Sequence, residues 1–121
     1  METITTIKDM SSRTEALRRE KRIGFVPTMG YLHEGHLRLL KTARSLSDVT
    51  VLSIYVNPSQ FGPGEDYSIY PRDLERDHRL AEEAGADFCF QPPDEEMYPP
   101  GYQTWVSVDE MTRHLCGASR P

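Results

Sequence analysis

The sequence predicts an α/β fold, a parallel β-sheet with flanking helices. Two observations carry that expectation. Short apolar runs alternate along the chain with segments of helical periodicity, and strand–helix–strand units of this kind form parallel sheets through right-handed crossovers. The run at 49–56 is β-branched and apolar almost throughout, broken by Thr50 and Ser53, as a strand covered on both faces would be. A length of 121 residues fits a single domain, 1–121. A domain of this size removes about two thirds of its unfolded surface from water, enough for a working core.

The elements follow in order. Ser12 and Glu15 have the spacing of a capping box and predict a helix running to about Arg22. Ile23-Gly24-Phe25-Val26 is a short buried strand stopped by Pro27. From Gly35 the residues Leu37, Leu40, Ala43 and Leu46 form a helical stripe that Ser47-Asp48 ends. The strand at 49–56 comes next, then a long loop at 57–70 holding two prolines and two glycines. Residues 72–84 read as a second amphipathic helix, with Leu74, His78, Ala81 and Ala84 on one side and Gly85 as the cap. Its charged residues read as a solvated face. Residues 87–91 predict a third strand, 92–101 a proline-rich turn, 104–108 a further strand and 110–116 a short helix.

Composition narrows the function. Nineteen acidic residues face 14 basic ones, for a net charge of -5, which argues against a nucleic-acid surface built from clustered Lys and Arg. No stretch approaches the roughly 20 apolar residues of a membrane span. Residues 1–22 have no apolar core of a signal peptide. The cysteines, Cys89 and Cys116, form no CxxC pair, and a reduced cytoplasmic setting is the default. Cys89, between Phe88 and Phe90, reads as core. His78 and His114 read as packed or surface histidines.

Ligands of parallel sheets bind beyond the carboxyl ends of the strands. Two loops leave those ends, 27–35 and 57–70; a loop as long as the second is often functional. The first reads Pro27-Thr28-Met29-Gly30-Tyr31-Leu32-His33-Glu34-Gly35-His36. Its histidines stand three apart at a loop–helix junction. A helix N-terminus offers unpaired N–H groups and a positive dipole end, which suit phosphate. Imidazoles there add hydrogen bonds and, when protonated, charge. Gly30 permits a sharp exit from the strand, and Gly35 permits close approach to the backbone. No Cys, third His or suitably spaced carboxylate completes a metal set, so no metal site is expected. No Gly-Lys-Ser/Thr follows, so this is not a Walker loop.

His33-Glu34-Gly35-His36 resembles the His-x-Gly-His signature of the nucleotidyltransferase superfamily. The flanking 26–32 segment, Ser53-Ile54-Tyr55-Val56-Asn57-Pro58-Ser59-Gln60-Phe61-Gly62, Tyr70-Pro71-Arg72, Glu96-Met97-Tyr98-Pro99 and Cys116-Gly117-Ala118-Ser119-Arg120-Pro121 together closely resemble the pantoate–β-alanine ligase family. The resemblance runs from about Ile4 to the last residue. It implies a Rossmann-like sheet of nucleotidyltransferase type and a two-step ligation. ATP and pantoate give pantoyl adenylate and pyrophosphate, and the amine of β-alanine then displaces AMP to give pantothenate. It also implies that Met29, Gly30, Tyr31, Leu32, His33, Glu34, Gly35 and His36 line the ATP site. His33 and His36 would contact phosphates, with His36 as proton donor. Gln60 would bind pantoate and β-alanine, with Pro27, Thr28 and Asn57 shaping the pocket. Glu34 is expected to contribute backbone contact alone. Mg²⁺ would enter with ATP, and the family's enzymes are similar in forming homodimers through this part.

Enzymes of that family are longer. They continue with a second pantoate-binding glutamine, a phosphate-holding lysine, a Ser/Arg segment and a lid domain. The chain is therefore expected to be the N-terminal portion of such an enzyme, inactive or weakly active alone. Its lysines, Lys8, Lys21 and Lys41, fall outside the two loops. Two rival readings stay open. One is another nucleotidyltransferase, an adenylyl- or cytidylyltransferase. The other is a non-catalytic, dimeric AMP/ATP-binding module.

Overall fold

The computed structural model describes residues 1–114. Four parallel strands form one sheet in the order β1-β4-β3-β2: β1 (Glu2–Ile4), β2 (Ile23–Thr28), β3 (Val49–Ile54) and β4 (Phe88–Phe90). The predicted α/β class is the observed one. Helix α2 (Glu34–Leu46) connects β2 to β3, α3 (Leu74–Glu83) connects β3 to β4, and α1 (Ile7–Leu17) follows β1. A single turn, α4 (Asp94–Met97), lies in the proline-rich segment after β4.

Strand β3 shows why both faces must be covered. All six of its residues are buried. Leu52 and Ile54 join Val26, Leu40, Ala81, Ala84 and Cys89 in one cluster, built with α2 and α3. Val49 and Val51 join Ile4 and Met10 of α1 in another, with Ile23, Phe88 and Phe90 packed against it. The alternation of a strand sends successive side chains to opposite faces, so a strand with apolar residues on both faces supplies two cores at once.

Several boundaries differ from the sequence expectation. Helix α1 starts at Ile7, not near Ser12, because Thr6 is its cap: the Thr6 hydroxyl accepts the Asp9 N–H. Strand β1 was not expected at all. Three residues carry no readable period, and β1 exists through its pairing with β4. Pro27 does not stop β2, which pairs with β3 through Thr28. β2 is an edge strand, where a residue lacking an N–H costs the ladder least. The strand expected at 104–108 is absent among the described residues. Trp105 and Val106 are exposed there, and β-propensity without a partner strand does not make a sheet. Of the helix expected at 110–116, the described part holds a 3-10 turn, Met111–Arg113, and Leu115 and Cys116 lie outside the described residues.

Helix α1 covers the early part of one sheet face. On β2 and β3 the same face continues through Phe25, Pro27 and Ser53 toward the carboxyl ends, where a cleft opens.

Candidate active site

The cleft begins with how β2 ends. The Thr28 hydroxyl donates to the Ser53 carbonyl (2.8 Å) and accepts the Gly30 N–H (3.1 Å), turning the chain off the sheet. Gly30 and Tyr31 both adopt left-handed conformations, with φ of 82° and 51°. Tyr31 is the one non-glycine residue with positive φ among the described residues, and such a conformation persists when its surroundings over-determine it. Here they do. The Asp77 carboxylate, fully buried on α3, accepts the Tyr31 N–H on Oδ2 and the Leu32 N–H on Oδ1, each at 2.7 Å. The neighbouring Arg76 donates to the Leu32 carbonyl at 2.9 Å and lies over the Tyr31 ring. The Leu32 side chain, 0% exposed, plugs the core beneath. A Cβ on Gly30 would come within 3.0 Å of Asp77 Oδ2, so the carboxylate can approach this turn because position 30 has no side chain.

His33 and His36 open α2 as a reciprocal pair. His33 Nδ1 accepts the Gly35 N–H at 3.0 Å, and His36 Nδ1 accepts the His33 N–H at 3.3 Å. The rings stand 4.1 Å apart. An Nδ1 that accepts carries no proton, so Nε2 bears the N–H in each neutral ring. Burial, and next the neighbouring His33, push the His36 pKa below its ordinary value; Asp77 pulls it up. Neutral His36 thus presents an N–H donor. The same geometry explains Gly35: an added Cβ would lie 2.9 Å from the His33 ring. The Gly35 N–H, one of the donors at the helix start, is taken by His33.

The second loop begins with a 3-10 turn, Pro58–Gln60. Asn57 Oδ1 accepts from the Ser59 N–H (3.1 Å), the Ser59 hydroxyl (2.8 Å) and the Tyr98 hydroxyl (2.9 Å). Asn57 therefore ties this loop to the end of α4, and its oxygen is committed to that task. Gln60 lines a cleft of about 560 Å³ with Pro27, Thr28, Met29, His36 and Asn57. A smaller hollow of about 170 Å³ adjoins it, lined by Met29, Gly30, Tyr31, Tyr55, Tyr67 and Arg72 among others. There Asp94 accepts from the Tyr55 and Tyr67 hydroxyls at 3.1 Å each, which raises both phenol pKa values after burial. Arg72 donates to the Tyr67 and Tyr70 carbonyls and holds the loop's far end.

The structure thus gathers Pro27, Thr28, Met29, His36, Asn57 and Gln60 around one cleft. Gly30 and Tyr31 face its neighbour. Leu32 enters by its backbone alone, since its side chain is core. His33 acts on His36 and Gly35, and Glu34 is exposed. Sequence reasoning missed Asp77. The charged residues at 72–83 read as a solvated face, yet Asp77 is 0% exposed and makes the bonds that set the first loop. A signal was present: Asp77 falls one position from His78 and four from Ala81, within the packed side of α3. Cys89 is buried, and burial lifts its thiol to about 11, which fits core packing. His78 is half-buried and hydrogen-bonded to Gln91 at 2.9 Å. Among the described residues no group of three or more His, Cys, Asp or Glu side chains is arranged to hold a metal ion.

A family profile described as pantoate-beta-alanine ligase matches residues 2–121. Pantothenate synthetase of Desulfatibacillum aliphaticivorans is 61% identical over the whole chain and that of Thermotoga petrophila 56%. The chain spans 43% and 44% of their lengths. The crystal structure of pantothenate synthetase from Thermus thermophilus superposes with a TM-score of 0.92 at 53% identity, covering all of this chain and 43% of that one. Pantoate-beta-alanine ligase from Francisella tularensis, solved in complex with beta-gamma ATP and beta-alanine, also gives 0.92, at 40% identity, over all of this chain and 47% of that one.

Proposed function

Because the chain belongs to the pantoate–β-alanine ligase family, we propose that its cleft is the part of a pantothenate-forming site that receives ATP and pantoate. One observation carries the reading. The paired histidines at the start of α2 bind backbone N–H groups through Nδ1, which leaves His36 Nε2 as a donor at a cleft that extends to Gln60.

In the first step a carboxylate oxygen of pantoate attacks the α-phosphorus of ATP. The new O–P bond forms as the α–β anhydride bond breaks, and pyrophosphate leaves. Charge builds on the phosphoryl oxygens, and donors fixed in advance lower that barrier; losing one typically costs about 10²–10³ in rate. Neutral His36 stabilises this charge by donating a hydrogen bond. A bound triphosphate raises its pKa by Coulomb attraction, which brings proton donation within its reach. The amine of β-alanine then attacks the acyl carbon, the C–N bond forms, AMP leaves and the amine gives up a proton. Gln60, with an amide that both donates and accepts, suits a hydroxy acid. Pro27, Thr28 and Asn57 shape the cleft wall, and the 29–35 backbone borders the nucleotide.

Magnesium arrives with ATP in this reading, and no step is assigned to it. The protein works in the cytoplasm as a homodimer, for which the open edge of β2 offers a surface. Light scattering tests the dimer, and a monomer at high concentration counts against it. Calorimetric titration of ATP, AMP and pantoate tests the site. Binding of ATP that pantoate strengthens is the expected result. Nucleotide binding indifferent to pantoate describes a plain nucleotide-binding module, and no nucleotide binding overturns the reading.

A further inference from the structure

We propose that Asp77 is a positioning residue for the histidine pair: from α3 it holds the 30–32 turn in the conformation that places His36 at the cleft with His33 packed against it. This rests on the reading of that turn as the nucleotide's phosphate site. Asp77 is fully buried, and both its carboxylate oxygens are spent on consecutive backbone N–H groups, those of Tyr31 and Leu32, at 2.7 Å. Charge-assisted bonds of this length are the strong class of hydrogen bond. A buried carboxylate is retained at a cost unless its bonds repay it, and here they repay it at a backbone that needs restraint. Gly30 and Tyr31 are both left-handed, and Tyr31 adopts that state against the preference of a bulky side chain. Arg76 completes the clasp by taking the Leu32 carbonyl, so one turn of α3 grips the donor and acceptor sides of the same segment.

Leu32 precedes His33 directly. Any relaxation of Tyr31 toward negative φ swings the start of α2, and with it the cap in which His33 accepts the Gly35 N–H and His36 the His33 N–H. The charge of Asp77 also reaches His36, favouring its protonated form. The carboxylate therefore acts on the histidine pair by geometry and by field, through its bonds to the 31–32 backbone.

The test uses the 121-residue chain with Asp77→Asn and Arg76→Gln. Asparagine keeps the shape, removes the charge and replaces one acceptor by an NH₂ that faces a backbone N–H. Three readouts are taken: urea unfolding, histidine titration by NMR and ATP titration by calorimetry. Asp77→Asn is expected to unfold cooperatively, to titrate His36 at lower pH than the parent, and to bind ATP at least tenfold more weakly. Unchanged His36 titration together with unchanged ATP affinity overturns the proposal. Should Asp77→Asn not fold, Arg76→Gln decides: it leaves the carboxylate in place, and a severalfold loss of ATP affinity supports the clasp while no loss overturns it. If the parent chain binds no ATP, the functional reading has failed, and the His36 titration alone judges Asp77, a downward shift supporting the field and no shift refuting it.

Discussion

At position 35 two opposing effects can be separated. Gly35→Ala should favour the helix, since alanine is the better helix former by about 1 kcal/mol. The added Cβ would stand 2.9 Å from the His33 ring, so that ring must turn out and the Gly35 N–H loses its cap, at about 1 kcal/mol. Stability should therefore change little, within about 1 kcal/mol by urea unfolding, while ATP affinity falls severalfold by calorimetry. A variant that binds as well as the parent would mean that the His33 ring orientation is not used. His36 gives a pH signature. Burial, aided by His33 and opposed by Asp77, holds its folded pKa below 6.5. In the window from 6.5 down to that folded value the unfolded chain binds more protons than the folded one, so stability declines as pH falls. His36→Gln removes that contribution. The unfolding free-energy difference, parent minus variant, should shrink on going from about pH 7.5 to about pH 5.5, and a difference that stays constant refutes the assignment.

Among the elements, caps decide where helices begin. Thr6 caps α1 by accepting the Asp9 N–H, and its hydroxyl also reaches the Asp9 carboxylate at 2.7 Å. Thr6→Ala should cost about 1 kcal/mol, whereas Ser12→Ala, on an exposed mid-helix position, should stay within about 0.5 kcal/mol. Chemical denaturation of the two variants separates them, and equal losses would contradict the cap. The Ser12–Glu15 spacing misled because capping spacing recurs by chance along a polar helix, and a cap is defined by the backbone leaving helical geometry, which sequence does not display. The long elements were legible for the opposite reason. α2 carries its apolar stripe over three turns, and β3 has β-branched residues on both faces. Strand β1 was not, because its three residues owe their state to β4, far along the chain. Pro27 was misread for lack of one fact, that β2 lies at the sheet edge.

The parallel topology was legible across the whole molecule, and with it the rule that ligands sit beyond the strands' carboxyl ends. That rule located both cleft-forming loops, and His36 and Gln60 do share one cleft. What stayed hidden was the grip of α3 on the first loop, since Asp77 and Leu32 are separated by 45 positions and a charged helix residue reads as solvated. The same whole-molecule view bounds the affinity of these 121 residues for ATP. The net charge is -5, and the nearby guanidinium groups of Arg72 and Arg76 already donate to backbone carbonyls. Phosphate attraction then comes from the start of α2 with its two histidines, about 1–2 kcal/mol, against the roughly 8 kcal/mol of a micromolar complex. Base and ribose contacts must supply most of the binding, and those are common to ATP and AMP. Calorimetry should accordingly find ATP held well short of micromolar affinity and no more than roughly 30-fold tighter than AMP, which is what about 2 kcal/mol allows. A preference for ATP of about a hundredfold or more would require a further cationic group at the triphosphate, and would direct attention to Arg72, which lines the adjoining hollow, leaving its carbonyl partners on binding.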